Sequence, residues 1–86
     1  MAYGAKSIAS TATLIIAGNC QRKGIVICNN SSKVVFTGTD DLVTKDNGLP
    51  LFEYQQLSKD KIPEGWLGPI YAIVEVGTAD VRYWES

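Results

Sequence analysis

Every apolar run in this 86-residue chain is short, and each one ends on a cluster of Gly, Asn, Asp, Ser or Pro. Runs of four to seven residues bounded by such punctuation read as strands, because Gly and Asn reach left-handed backbone and Pro lacks a ladder donor. The pattern is densest at Gly24–Gly38, GIVICNNSSKVVFTG, which reads as a hairpin of two buried strands around Asn29-Asn30-Ser31-Ser32. Within it Ile25 and Ile27 point one way, Val26 and Cys28 the other. Both faces are apolar, so a cover on both sides is expected.

The rest of the chain follows the same grammar. Lys6–Ala9 reads as a short edge strand at the end of an arm, and Thr13–Ala17 as a strand closed by Gly18-Asn19. Asn47-Gly48 between Leu42–Thr44 and Leu49–Phe52 predicts a second hairpin, with Pro50 confining its return strand to an edge. Tyr54–Lys59 is a further strand, followed by a charged loop over 59–65 and a tight connection at Trp66–Pro69. Ile70–Val76 has Ile70, Ala72, Val74 and Val76 on one face and Tyr71, Ile73 and Glu75 on the other. Gly77-Thr78 fits a two-residue hairpin into the last strand, Ala79–Glu85. In that strand Ala79, Val81 and Tyr83 share one face, and Asp80, Arg82 and Trp84 the other.

Turn signals at intervals of about eight to twelve residues and the lack of a helical period define the fold class. It is all-β: a small antiparallel sandwich or barrel, jelly-roll-like or immunoglobulin-like, of about seven or eight short strands. The domain reading is an N-terminal arm at 1–8 and a single β-sandwich domain at 9–86. At 9.3 kDa such a fold exposes roughly 5,000 Å² and buries about 63% of its unfolded surface, enough for one thin core.

Eight basic and nine acidic side chains leave a net charge of −1, with no electrostatic reason to hold nucleic acid or an anionic membrane. No apolar stretch reaches the roughly 18 residues of a membrane helix, and the start of the chain has no secretory pattern. The absence of histidine removes the usual general base and the commonest zinc ligand. No phosphate loop or nucleophile–base pattern is present either, so the chain is read as a non-enzyme without cofactor or metal. Asp40, Asp41, Asp46 and Asn47 lack calcium-loop spacing and read as Asx turns. Cys20 and Cys28 read as free thiols. A bridge between them is the alternative and needs their Cα atoms within roughly 7 Å.

The aromatic residues are the surface candidates. Tyr54, Trp66, Tyr71, Tyr83 and Trp84 fit either core-end caps or a contact face for protein or sugar. Trp66 reads as a cap. Trp84 shares a face with Arg82 and reads equally as cap or contact. Arg22 and Lys23, in a polar loop before the central strand, read either as a solvated turn that blunts a sheet edge or as a contact to an acidic partner.

The succession Thr11-Ala12-Thr13-Leu14-Ile15-Ile16, Arg22–Ser32, a strand ending in Gly38, Val43-Thr44, Asn47–Leu51, Tyr71-Ala72-Ile73 and Gly77–Arg82 before Glu85 resembles small all-β structural proteins of tailed bacteriophages. These are capsid decoration, or cement, proteins and related virion accessory domains. The resemblance covers about residues 6–85, through turn and core signatures. The chain departs from the group at Glu53–Gly65, which is longer and more charged.

The resemblance implies a virion protein made in the host cytoplasm and placed on the capsid surface. It would bind the major capsid protein and self-associate, with a trimer favoured. The partner contacts expected are Met1, Ala2, Tyr3, Lys6 and Ile8 of the arm, then Arg22, Lys23, Tyr83 and Trp84. Loss of the arm is expected to spare the fold and abolish binding. The alternative is a binding module of a tail or head fibre that contacts host glycans or another virion protein. Exposed aromatics beside Asp, Asn or Arg would favour that alternative.

Overall fold

The computed structural model describes residues 2–58 and 66–86. Eight strands follow in order: β1 (Ala2–Ile8), β2 (Thr13–Ile16), β3 (Ile25–Asn29), β4 (Val35–Gly38), β5 (Leu49–Leu51), β6 (Gln56–Ser58), β7 (Ile70–Val74) and β8 (Ala79–Glu85). They form two antiparallel four-stranded sheets, ordered β1-β8-β3-β6 and β2-β7-β4-β5. The first with the last, the second with the seventh, and so on inward, the strands pair as a long hairpin rolled over itself. That nesting is the jelly-roll arrangement. Six of the seven connections therefore pass from one sheet to the other, and only the one between β4 and β5 stays within a sheet.

The alternation in the sequence decides what lies between the layers. Ile25 and Ile27 of β3 and Ala79 and Val81 of β8 face Val35 of β4, Leu51 of β5, and Ile70, Ala72 and Val74 of β7. Ile8, Ile15 and Ile16 close one side, and Trp66 and Tyr83 pack partly buried against this cluster. The accessible surface is 5,220 Å², near the value expected from mass alone.

The central hairpin at Gly24–Gly38 does not form. β3 lies between β8 and β6, and β4 lies between β7 and β5 in the opposite sheet. The Asn30–Val34 segment is a corner between layers, so Ile27 and Val35 meet across the core instead of side by side. Asn29 holds this corner. The two hydrogens of its Nδ2 are shared among the carbonyls of Lys33, Leu51 and Phe52, at 2.6, 3.0 and 3.1 Å, and its Oδ1 accepts from Ser31 Oγ at 2.6 Å.

Gly77-Thr78 is likewise a corner from β7 into β8, with Gly77 at φ 79°, and not a hairpin turn. Val26 and Cys28 are half-buried on the outer face of a two-layer fold, so β3 is covered on one side only.

The predicted strand at Leu42–Thr44 is a turn-rich loop. It packs Val43 back against Gly38 and Gly48, where an added Cβ would lie 2.8 and 2.9 Å from the Val43 side chain. Asp40 Oδ1 accepts from the Leu42 N–H, as expected for an Asx turn, whereas Asn47 Oδ1 reaches back three residues to the Thr44 N–H and closes the loop instead. Pro50 does lie on an edge strand, β5. The strand predicted at Tyr54–Lys59 starts only at Gln56, because Phe52–Gln55 is a turn closed by the Gln55 N–H on the Phe52 carbonyl at 3.0 Å; Lys59 lies outside the described residues. The loop at 59–65 lies outside the described residues.

The segment 1–8 is described from Ala2, and it is strand β1, paired with β8 from Ala2↔Glu85 to Ile8↔Ala79. It is part of the sandwich and not a detached arm. Ile8 is fully buried, and the Ala9 carbonyl accepts from the Val74 N–H, which fastens the step from one sheet to the other.

Candidate functional site: the outer face and edge of sheet β1-β8-β3-β6

Cross-strand register assembles the outer face of this sheet in rows. Tyr3 of β1, Trp84 of β8 and Val26 of β3 stand side by side. Beside them run Ala5, Arg82, Cys28 and Gln56, and then Ser7 and Asp80. Tyr3 is 80% exposed and Trp84 55% exposed, so two adjacent aromatic side chains stand in solvent at one end of the sheet. A solvated sheet face ordinarily alternates to polar residues, and an open aromatic pair with an apolar neighbour marks a contact surface.

The polar end of the face is internally paired. One oxygen of Asp80 accepts from Asn30 Nδ2 at 3.0 Å and from Arg82 Nε at 3.1 Å, and Arg82 Nη2 lies 3.1 Å from it. The Asn30 amide does most to hold the Asp80 carboxyl below its ordinary value; desolvation opposes it, and the Arg82 guanidinium adds a hydrogen bond and its charge in the lowering direction. The outcome is a paired carboxylate at the end of the face away from the aromatics, with Arg82 between.

The expected contact residues divide sharply. Tyr3 and Trp84 come together on the open face. Lys6 is exposed on the same strand but projects toward the inner side, opposite Val81. Tyr83 turns inward and lies over Gly4, where a Cβ would stand 2.9 Å from its hydroxyl. Ile8 is core and unavailable to a partner. The side chain of Ala2, like all of Met1, is outside the described residues.

Arg22 is the clearest correction. It is buried, and its guanidinium is consumed within the chain, by Glu85 through Nε, by the carbonyls of Trp66 and Gly68 through Nη1, and by the Ala17 carbonyl through Nη2. Asn19 Nδ2 takes the second Glu85 oxygen at 3.4 Å. Both alternatives drawn from its loop position fail, because Arg22 is a pin that holds that loop to the end of β8. Lys23 remains exposed, with its N–H on the Ser86 carbonyl at 2.7 Å.

Val26, Cys28, Arg82 and Asp80 were not singled out as contacts. Their outward parity was readable in the alternation. The pairing of β3 and β1 with β8, which sets them beside Tyr3, was not. Cys20 and Cys28 are free thiols.

A second concavity, of about 340 Å³, lies beside β4 and β7 between Val34, Phe36 and Val76, with Lys33, Glu53 and Glu75 at its rim. Lys33 Nζ donates to the Val76 carbonyl at 3.1 Å and Glu75 pairs with Lys45 at 3.2 Å. Two of its three charges are thereby engaged, and it has no nucleophile–base pair. Among the described residues no three His, Cys, Asp or Glu side chains are grouped to hold a metal ion. No family model, no curated protein and no solved structure matches this chain.

Proposed function

We propose that this chain is a structural protein of a bacteriophage virion, a decoration protein that stabilises the head by binding the major capsid protein. The observation that carries the reading is the open Tyr3–Trp84–Val26 face on a rigid two-layer frame. Large aromatics in the open are the side chains that dominate protein contacts once water is excluded. The resemblance in the sequence supplies the setting. Jelly rolls also serve in viral shells, a support by analogy of fold alone. The role requires no catalysis. Binding only the assembled shell stabilises it by mass action.

A glycan-binding module on a fibre is the second reading. It is favoured by the same aromatics standing one row from Arg82, since ring faces with polar neighbours suit sugars. Against it, Asp80, Arg82 and Asn30 spend their hydrogen bonds on one another.

The test is co-sedimentation with heads assembled without this protein. Trp84→Ser is expected to weaken binding at least tenfold, as for a contact hot spot, with the fold intact by circular dichroism. Undiminished binding of the variant would remove this face from the interface. Binding to host glycans in place of heads would select the fibre reading.

A further inference from the structure

Among the described residues four strands, β1, β2, β5 and β6, lie at a sheet edge, and β2 and β5 are blunted. β5 is three residues long and contains Pro50, and β2 is four residues long with a register shift between Leu14 and Ile16; β6 is described over Gln56–Ser58. β1 is different. It has seven residues in unbroken register with β8, no proline and no bulge. Alternate residues turn their N–H and C=O away from β8. Among the described residues nothing hydrogen-bonds to that side. A long, regular, uncovered edge is a template for another strand, and folds that stay monomeric disable it.

We propose that this edge pairs with its own copy: two β1 strands align antiparallel about a two-fold axis at Ala5 and join two four-stranded sheets into one of eight. The sequence fits itself in that register and in full overlap, with Ala2 opposite Ile8 of the other copy, Tyr3 opposite Ser7, Gly4 opposite Lys6, and Ala5 opposite Ala5. Each large side chain meets a small one, and no charge meets its like. Lys6, the one charge that could protect the edge, lies over the glycine of the other copy, beside the Tyr83 hydroxyl that Gly4 leaves room for. Centring the pair on Lys6 instead would oppose two lysines, which disfavours that register. The pairing leaves the outer faces open and sets two Tyr3–Trp84 pairs on one surface. A two-fold contact replaces the three-fold one expected from the resemblance.

The test is sedimentation equilibrium of the purified chain over about 5–500 µM, since an edge contact is at the small end of stable interfaces. The expected species is twice the 9.3 kDa monomer. Ala5→Glu is expected to weaken it at least tenfold, because it opposes two carboxylates on the axis while each lies across from Arg82 within its own chain. In a Cys20→Ser, Cys28→Ala background, Ala5→Cys is expected to cross-link two copies under diamide. Lys6→Cys, opposite Gly4, is expected not to. A monomer throughout, a trimer, a dimer indifferent to Ala5→Glu, or preferential cross-linking at position 6 would each overturn the pairing. The proposal stands apart from the virion reading: a monomer present at head-scale copy number would sink the pairing alone, and a β1 dimer absent from the particle would sink the virion role alone.

Discussion

Asn29 and Arg22 hold the cross-sheet architecture at the level of single side chains. Asn29 is fully buried and satisfies three carbonyls from two segments. Asn29→Ala removes these bonds, although the Phe52 carbonyl keeps the Gln55 N–H and the Lys33 carbonyl keeps Ser31 Oγ, and it is expected to cost about 1–3 kcal/mol, read as a lower urea midpoint. Arg22→Ala leaves the Glu85 carboxylate buried without its partner, and a loss of about 3–5 kcal/mol is expected in the same measurement. Tyr54 carries the opposite sign. It sits at φ 57° at the third position of the Phe52–Gln55 turn, where glycine is the unstrained choice, and its side chain is exposed. Tyr54→Gly is expected to raise stability by about 1 kcal/mol. Asp80 sets an acid dependence. Its carboxyl is held below 3.8, so the stability it lends is present above that value and is lost as pH falls through the depressed one. Asp80→Asn is expected to flatten that part of the melting-temperature profile between about pH 5 and 2.

At the scale of elements, β1 decides how the ends of the chain are used. Removing Met1–Ser7 takes the partner strand from β8 and opens the core beside Ile8. The truncated protein is therefore expected to lose cooperative unfolding, contrary to the expectation that an arm could be cut without harm. The strands themselves were legible. β8 has the predicted bounds and faces, because Ala79 and Val81 alternate with Asp80 and Arg82 and admit one inward face; β3, apolar on both faces, offered no such choice and is covered on one side only. The pairings were not legible. Asn-Asn-Ser-Ser and Gly77-Thr78 supply the same bend whether the next strand pairs with the last or crosses to the other layer. Only the nested long-range pairing decides which. Arg22 was misplaced for a related reason. A basic residue in a polar loop reads as solvated unless its buried carboxylate, 63 residues away at Glu85, is seen to face it.

The whole molecule is built from contacts remote in sequence, with β1 waiting on β8 and β2 on β7. Folding is accordingly expected on the slow side for this size, in milliseconds to seconds by stopped-flow fluorescence of Trp66 and Trp84. The finished frame is thin, and it offers the open Tyr3–Trp84 pair next to the long regular edge of β1. Repeated copies of such a frame can clamp a shell that no single copy could hold, through avidity as much as affinity. The virion reading depends on that use in number. The direct measurement is the copy number of this protein in purified particles, by quantitative mass spectrometry against the major capsid protein. A ratio near one to one, or a simple fraction of that order, is the result expected of a protein that coats the head. Only a few copies per particle would assign it to a fibre or connector, and absence from the particle would contradict the virion role altogether.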